Sequence, residues 1–396
     1  MSGTKKGIWT PEFTQLFFIN VFMGFGQNMM NTLIPKYASY LGATATMVGT
    51  VTSMFAVTAL LIRPFSGPAF DSFPKKRILT AALCVTTISF FMYSMANSIP
   101  MVIAARLIHG IGIGCTSPLC LAMVSEILDD DQMGRGVATF TLGQSCSQAI
   151  GPYLGLQLAR SIGYVMTFRL GTALMLFSCL ITIPLRFESK HLSPYKISFD
   201  RIVDKKSILA AILVCCVSMS YATISSFLAI YGEALSVANI GLYFTVMAIC
   251  MLVFRPIMGR LADRIGFVKT IIPALCIFGV ALALISVSRV LPLFLLAAVL
   301  AAYGHGAGYP TIQAFGMKGS SRDRRGAGGN TLYIGADCGN LLGPMIAGRV
   351  ADQALSAGST TVGSYSFMFR FMILPLVVAL IIVIVRRRRM TEIWNG

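Results

Sequence analysis

The sequence predicts an all-α membrane protein of twelve transmembrane helices arranged as two parallel six-helix repeats. Three observations carry that reading: an apolar, charge-poor composition, bilayer-length apolar runs along nearly the whole chain, and a self-match at a separation of 192 residues. Hydrophobic residues make up 56% of the 396 and charged residues 12%, whereas about a quarter of a soluble domain is charged. Runs of about 18 or more apolar residues are long enough to cross a hydrocarbon core of about 30 Å. Lipid offers no hydrogen bonds to a bare backbone, so these segments must be helices; the short alternating segments of a barrel are absent.

The twelve spans fall at 11–37, 45–67, 77–97, 99–126, 133–160, 165–185, 207–232, 238–258, 268–288, 290–317, 327–352 and 364–386. They group into an N-terminal bundle (1–185), a polar linker (186–206) and a C-terminal bundle with a basic tail (207–396). Met1 to Gly7 leads into a first span too long for the apolar core of a cleavable signal, so none is expected.

The net charge of +17 raises a nucleic-acid surface as a possibility, but the basic residues sit in alternate loops. Lys5, Lys6, Lys75, Lys76, Arg77, Arg135, the stretches 186–206, 260–269 and 318–325, and Arg386 to Arg389 all fall on one side of the twelve-span arrangement. The positive-inside rule makes that side cytoplasmic, with both termini inside and the chain multi-pass in the inner (plasma) membrane. Topology thus accounts for the charge excess, and no nucleic-acid partner is expected. The ten cysteines lie mostly inside apolar spans without CxxC or His/Cys spacing, which reads as small core residues rather than a disulfide framework or a metal site.

The self-match aligns Arg63-Pro64, Gly67 and Asp71 with Arg255-Pro256, Gly259 and Asp263, and Gly143, Cys146, Gly151 and Pro152 with Gly335, Cys338, Gly343 and Pro344. Two six-span halves in one orientation imply a pseudo-two-fold axis along the membrane normal, with a site between them.

Gly67-Pro-Ala-Phe-Asp71-Ser-Phe-Pro-Lys75-Lys-Arg77 follows the second span, and Gly259-Arg-Leu-Ala-Asp263-Arg-Ile-Gly266 holds the same place in the second half. Glycine permits close helix approach, and an aspartate at a helix end meets a helix N-terminus or a guanidinium. GxxxD followed by basic residues, at this place in both halves, resembles the major facilitator superfamily. The resemblance covers nearly the whole chain. It implies the major facilitator fold, alternating access and no cofactor, and it makes Gly67, Asp71, Arg77, Glu126, Arg135, Gly259 and Asp263 candidates for a cytoplasmic gate. The plainer alternative is that these charges only anchor topology.

Arg106-Leu-Ile-His109-Gly110-Ile-Gly112-Ile-Gly114, in the fourth span, resembles a second motif of the family. An intramembrane arginine needs a partner or water, so Arg106 marks a cavity or an ion pair, or else snorkels to the outer interface. His109, three positions on, titrates near neutral pH. Gly143-Gln-Ser-Cys-Ser-Gln-Ala-Ile-Gly151-Pro152-Tyr-Leu-Gly155, in the fifth span, resembles the glycine-proline motif of the family's proton-coupled antiporters. Glycine for close packing and proline to weaken the helix ladder suit a moving interface.

In the eleventh span Asn330, Tyr333, Asp337 and Asn340 form a polar stripe. Asp337 is a carboxylate deep in an apolar span and aligns with the neutral Ser145, so the repeated scaffold does not demand its charge. It is a candidate proton carrier or substrate partner, or a neutral packing residue. Gln27 and Asn31 in the first span, Tyr221 in the seventh, and Tyr303, His305, Tyr309 and Gln313 in the tenth complete the cavity candidates.

The leading functional reading is a monomeric secondary transporter that exports a small amphipathic or drug-like molecule in exchange for protons. An organic-anion carrier is the alternative, since Arg106, His109 and His305 would leave the cavity positive against Asp337; a non-transporting receptor or scaffold is the alternative of another class. No GxxxxGK[ST] loop or nucleophile triad suggests an enzyme or a nucleotide-driven pump. Single-cysteine labelling of intact cells is expected to find both termini and the 186–206 linker protected from an impermeant reagent; labelling of any of the three from outside would reverse the topology.

Overall fold

The computed structural model describes residues 8–128, 132–188, 195, 202–320 and 324–395. Its helices are α1 (Pro11–Tyr40), α2 (Ala45–Ser72), α3 (Lys75–Met95), α4 (Ile99–Ile127), α5 (Met133–Thr182), α6 (Ile208–Ala234) and α7 (Leu242–Ile265). They continue with α8 (Phe267–Val287), α9 (Leu291–Ala301), α10 (Gly308–Gly319), α11 (Arg325–Ser356), α12 (Thr361–Phe371), α13 (Leu374–Val385) and α14 (Arg387–Asn395). A 3-10 turn, Lys205–Ser207, leads into α6, and a π-helical turn, Ala302–Ala307, joins α9 to α10. Among the described residues, nine helical runs are long and apolar enough to cross a membrane. The polar α1 and α11 are not among them.

Two expected boundaries are drawn differently. The spans expected at 133–160 and 165–185 form one helical run, broken only at Gly163, whose φ of 81° and ψ of 166° are open to glycine alone. The span expected at 364–386 is divided between α12 and α13 by a non-helical Met372.

Small residues decide which helices lie together. α5 runs along α1, and α11 along both α2 and α6. A Cβ on Gly335, Gly339 or Gly343 would fall 2.3, 2.5 or 2.4 Å from the carbonyl oxygens of Ala211, Cys215 and Met219 on α6. Backbone therefore meets backbone along that seam. In the first half, a Cβ on Gly143, Gly151 or Gly155 would meet Val21, Asn28 and Met29 of α1 at 2.7, 3.0 and 2.6 Å. Pro152 lies inside α5 between these contacts.

The bundle has a linker end, where α1 and α6 begin, and a far end. The linker's last residues are docked on the second half: Asn330 Nδ2 donates to the Ile202 carbonyl (2.9 Å), and Thr331 Oγ1 accepts from the Asp204 amide (2.9 Å). Asp204, 4% exposed, accepts from Ser320 Oγ at 2.5 Å and Ser207 Oγ at 3.3 Å, with Arg324 Nε at 3.7 Å. Burial opposes its charge, but the hydrogen bonds from Ser320, the Lys206 amide and Ser207, with the Arg324 guanidinium, outweigh that and hold its pKa below the ordinary 3.8.

Two predictions follow from this packing. Gly343→Ala, forced against a carbonyl, should cost about 1–3 kcal/mol in a detergent melt. Gly67→Ala, with nothing within 4 Å of the new Cβ, should be neutral within about 0.5 kcal/mol. Because the pKa of Asp204 is lowered on folding, its contribution to linker docking is complete above the unfolded value and is lost as pH falls through the folded one. Protease protection at 202–207 should therefore persist at neutral pH and fail only below about 4, whereas Asp204→Asn should weaken it at pH 7.

Candidate functional site

A cavity of about 300 Å³ lies between the halves, lined from α1, α2, α4, α5, α6, α10 and α11. Gln27, Asn31, Tyr221, Tyr309, Tyr333, Asn340, Arg106 and Asp337 all line it. Asp337 is the one carboxylate among the described lining residues.

Its partner is Arg63 of α2, through an Nε to Oδ2 ion pair in which both side chains are almost wholly buried. The Arg63 guanidinium also lies 4.7 Å from the centre of the Tyr333 ring. The pair crosses from the first half to the second. At the position related by the repeat, Arg255 of α7 crosses in the other direction, donating from Nη1 to Ser145 Oγ at 3.3 Å and from Nε to the Gly306 carbonyl at 3.3 Å. Each seam thus carries an arginine that reaches over it, but only one arginine meets a negative charge.

Arg106 is fully buried and is held differently from the ion pair or the interfacial snorkelling expected of it. Nη2 and Nε donate to the Thr52 and Val51 carbonyls of α2 at 2.8 and 3.3 Å, and the guanidinium lies 4.7 Å over the Phe55 ring. His109 does not reach the cavity. It is fully buried with Nδ1 3.1 Å from the Tyr93 hydroxyl and its ring edge-on to Phe90 at 4.9 Å. Three residues turn a helix by about 300°, leaving an offset of about 60°, which suffices to move a side chain from α2 to α3.

The tenth-span candidates are divided by the π-helical turn. His305 sits within it, stacked on Tyr221 at 3.9 Å and behind the cavity wall, while Tyr303 turns to Phe254 at 5.6 Å. Neither Tyr303 nor Gln313 lines the cavity. The inserted residue shifts the helix face, so an uninterrupted α-helical spacing misplaces them. Asn330 also leaves its stripe to hold the linker.

The expected close approach at Gly67 and Gly259 is absent: a Cβ at either would have nothing within 4 Å. Among the described residues, nothing joins the halves at these two glycines. Glu126 pairs with Lys75 at 2.9 Å, while Arg77 and Asp263 are exposed. The side chains of Asp71 and Arg135 lie outside what the structure describes.

At the far end the halves are joined. Asp352 of α11 accepts from the Ala45 and Thr46 amides at 3.1 and 2.8 Å, capping the start of α2. Lys36 pairs with Glu233 at 3.4 Å, and Gln157 Nε2 donates to Asn239 Oδ1 at 3.0 Å. A Cβ on Gly49 would lie 2.1 Å from the Pro344 carbonyl. The cavity is therefore closed at the far end and parted at the linker end.

Sequence reasoning missed Arg63, Arg255 and Asp352 as site residues. The signal for the first two was present in the self-match: a two-fold axis makes contacts reciprocal, so 63 with 337 implies 255 with 145. Asp352 had no such signal, lying at a span boundary.

Comparison with known proteins agrees with this architecture. The profile of the Major Facilitator Superfamily matches residues 16–212 and again 210–395. The chain is 22% identical over 374 residues to multidrug resistance protein 1 of Bacillus subtilis, covering 92% of this chain and 94% of that one. It is 24% identical over 174 residues to the quinolone resistance protein NorA of Staphylococcus aureus, covering 44% and 45%. Among solved structures, the nucleoside transporter NupG superposes with a TM-score of 0.81 at 13% identity, over 94% of this chain and 99% of that one. A bacterial homolog of the human lysosomal transporter Spinster gives 0.80 at 14%, over 99% of each. Two tandem profile matches spanning nearly all of a helical chain, closed around a cavity between its halves, place it: it belongs to the Major Facilitator Superfamily and is a multi-pass membrane transporter, not an enzyme.

Proposed function

We propose that the protein exports a small amphipathic or drug-like molecule in exchange for protons, by alternating access. In this reading it crosses the plasma membrane twelve times as a monomer, with α5 counted as two crossings divided at Gly163 and with α12 and α13 counted as one. The halves are 1–185 and 207–396, and the termini and the 186–206 linker are cytoplasmic. The cavity, open toward the linker end, then faces inward.

The observation that carries the proposal is the ion pair of Asp337 with Arg63 across the α2–α11 seam. Two buried charges hold each other where neither would stay alone, and neutralising one leaves the other unpaired. A proton taken up by the Asp337 carboxylate from outside removes the attraction that holds this seam. A proton released to the cytoplasm restores it. Substrate, seated among Gln27, Asn31, Tyr221, Tyr309 and Asn340, moves outward in the same cycle as the halves rock about the cavity. Relatives named for multidrug and quinolone resistance support export of such molecules. Asp71, Arg77, Glu126 and Arg135 act as a cytoplasmic gate that closes when the linker ends meet, with Gly67 and Gly259 then in contact. Arg106, at the cavity wall, and the buried His109 behind it support the first half.

A second reading, transport of an organic anion, draws on the cavity charge: Arg63 and Arg106 line it against Asp337 alone. The two readings separate in proteoliposomes with an imposed pH gradient and a panel of cationic, neutral and anionic amphiphiles. Asp337→Asn is expected to abolish proton-driven accumulation of cationic or neutral compounds while leaving their binding measurable. Undiminished gradient-driven transport by Asp337→Asn would refute the coupling role. Saturable transport confined to the anions would select the second reading.

A further inference from the structure

The start of α6 and the C-terminal helix α14 enclose a second groove, of about 230 Å³, lined by Lys205, Lys206, Arg386 and Arg389 with Ile208, Leu209, Ile212 and Ile393. Among the described residues, no acidic one lines it. The nearby Asp204 is consumed by Ser320, Ser207 and Arg324 and does not neutralise the two lysines that follow it. Ile208 and Ile212 are 41% and 43% exposed on the flank of a helix apolar enough to cross a membrane. Four cations therefore sit immediately above an apolar strip.

The groove is built rather than incidental. α14 is anchored by Met390, fully buried, and by Trp394, whose ring lies 5.9 Å from Phe267 and under the Lys318 ammonium at 3.9 Å. Arg386, Arg389 and Ile393 fall at steps of three and four, so one face of the tail is turned to the groove while Arg387 and Arg388 point elsewhere. On the opposite wall the docked linker fixes Lys205 and Lys206 at the mouth of α6. That helix begins without a side-chain cap, so its amide dipole adds positive potential at the same place.

We propose that this groove holds one anionic phospholipid of the cytoplasmic leaflet, its phosphate between Lys205, Lys206, Arg386 and Arg389 and an acyl chain along Ile208 and Ile212. A phosphate with an attached hydrocarbon chain satisfies both parts of the groove, and cationic pockets beside cytoplasmic helix ends recognise such headgroups. The lipid ties the linker between the halves to the C-terminal tail. Its placement in the cytoplasmic leaflet rests on the proposed topology; its binding does not.

The test is retention of phosphatidylglycerol against phosphatidylcholine by the full-length protein in detergent, read by native mass spectrometry. Neither transport nor orientation enters that measurement, so a failed proton-coupling reading leaves its outcome unaffected. The wild type should retain phosphatidylglycerol in preference. Arg386→Gln with Arg389→Gln should lower that retention about tenfold, as should Lys205→Gln with Lys206→Gln, while Lys205→Arg with Lys206→Arg keeps it. Arg387→Gln with Arg388→Gln removes the same charge from the other face and should change little. Equal loss in the two arginine pairs, full retention by the Arg386 and Arg389 variant at an unchanged melting temperature, or displacement by millimolar inorganic phosphate would overturn the proposal.

Discussion

A guanidinium inside an apolar bundle has no water to fall back on, and this requirement organises the centre of the molecule. Arg63 and Arg255 occupy equivalent positions, and each reaches over the seam between the halves to an acceptor on the opposite half. The equivalence of the arginines and the inequivalence of their acceptors matter equally. Asp337 gives one seam an electrostatic hold that depends on charge; Ser145 gives the other a neutral one. A repeated scaffold thereby carries one charged and one neutral crossing between its halves.

The far-end contacts are of another kind. Asp352 on the α2 N-terminus and the glycines that admit Pro344 and Ala45 use backbone groups and close fit. Contacts of this sort are sensitive to sub-ångström displacement, because a rigid carbonyl opposite a missing Cβ leaves no room for adjustment. The halves are thus held by fit at one end and by charge near the cavity.

Fold class was legible because lipid imposes a coarse and uniform demand, that each long apolar run be helical, and because the repeat survives in Arg63-Pro64, Arg255-Pro256 and their companions. The stripe through Tyr333, Asp337 and Asn340 was legible for the same reason: an unbroken α-helix has one period. Where the period is interrupted, as in the π-helical turn at Ala302–Ala307, the cavity candidates Tyr303 and Gln313 fall off the cavity wall. His109 was misplaced because a helix in the middle of a bundle buries every side, and sequence spacing alone does not say which neighbour a side belongs to. The close approach expected at Gly67 and Gly259 is absent from the structure, where a Cβ on either glycine would meet nothing within 4 Å.

The connections at the far end are short. Residues 41–44, 96–98, 235–241, 288–290 and 357–360 and the single Gly163 are all that join the helices there, and none exceeds seven residues. Water-soluble proteins grip loops, and this surface offers almost none. An antibody, a protease or a scaffold arriving from that side would find helix ends and turns too tight to be drawn into a foreign cleft. The opposite surface differs: there the basic helix α14 and the docked residues 202–207 lie against the second half.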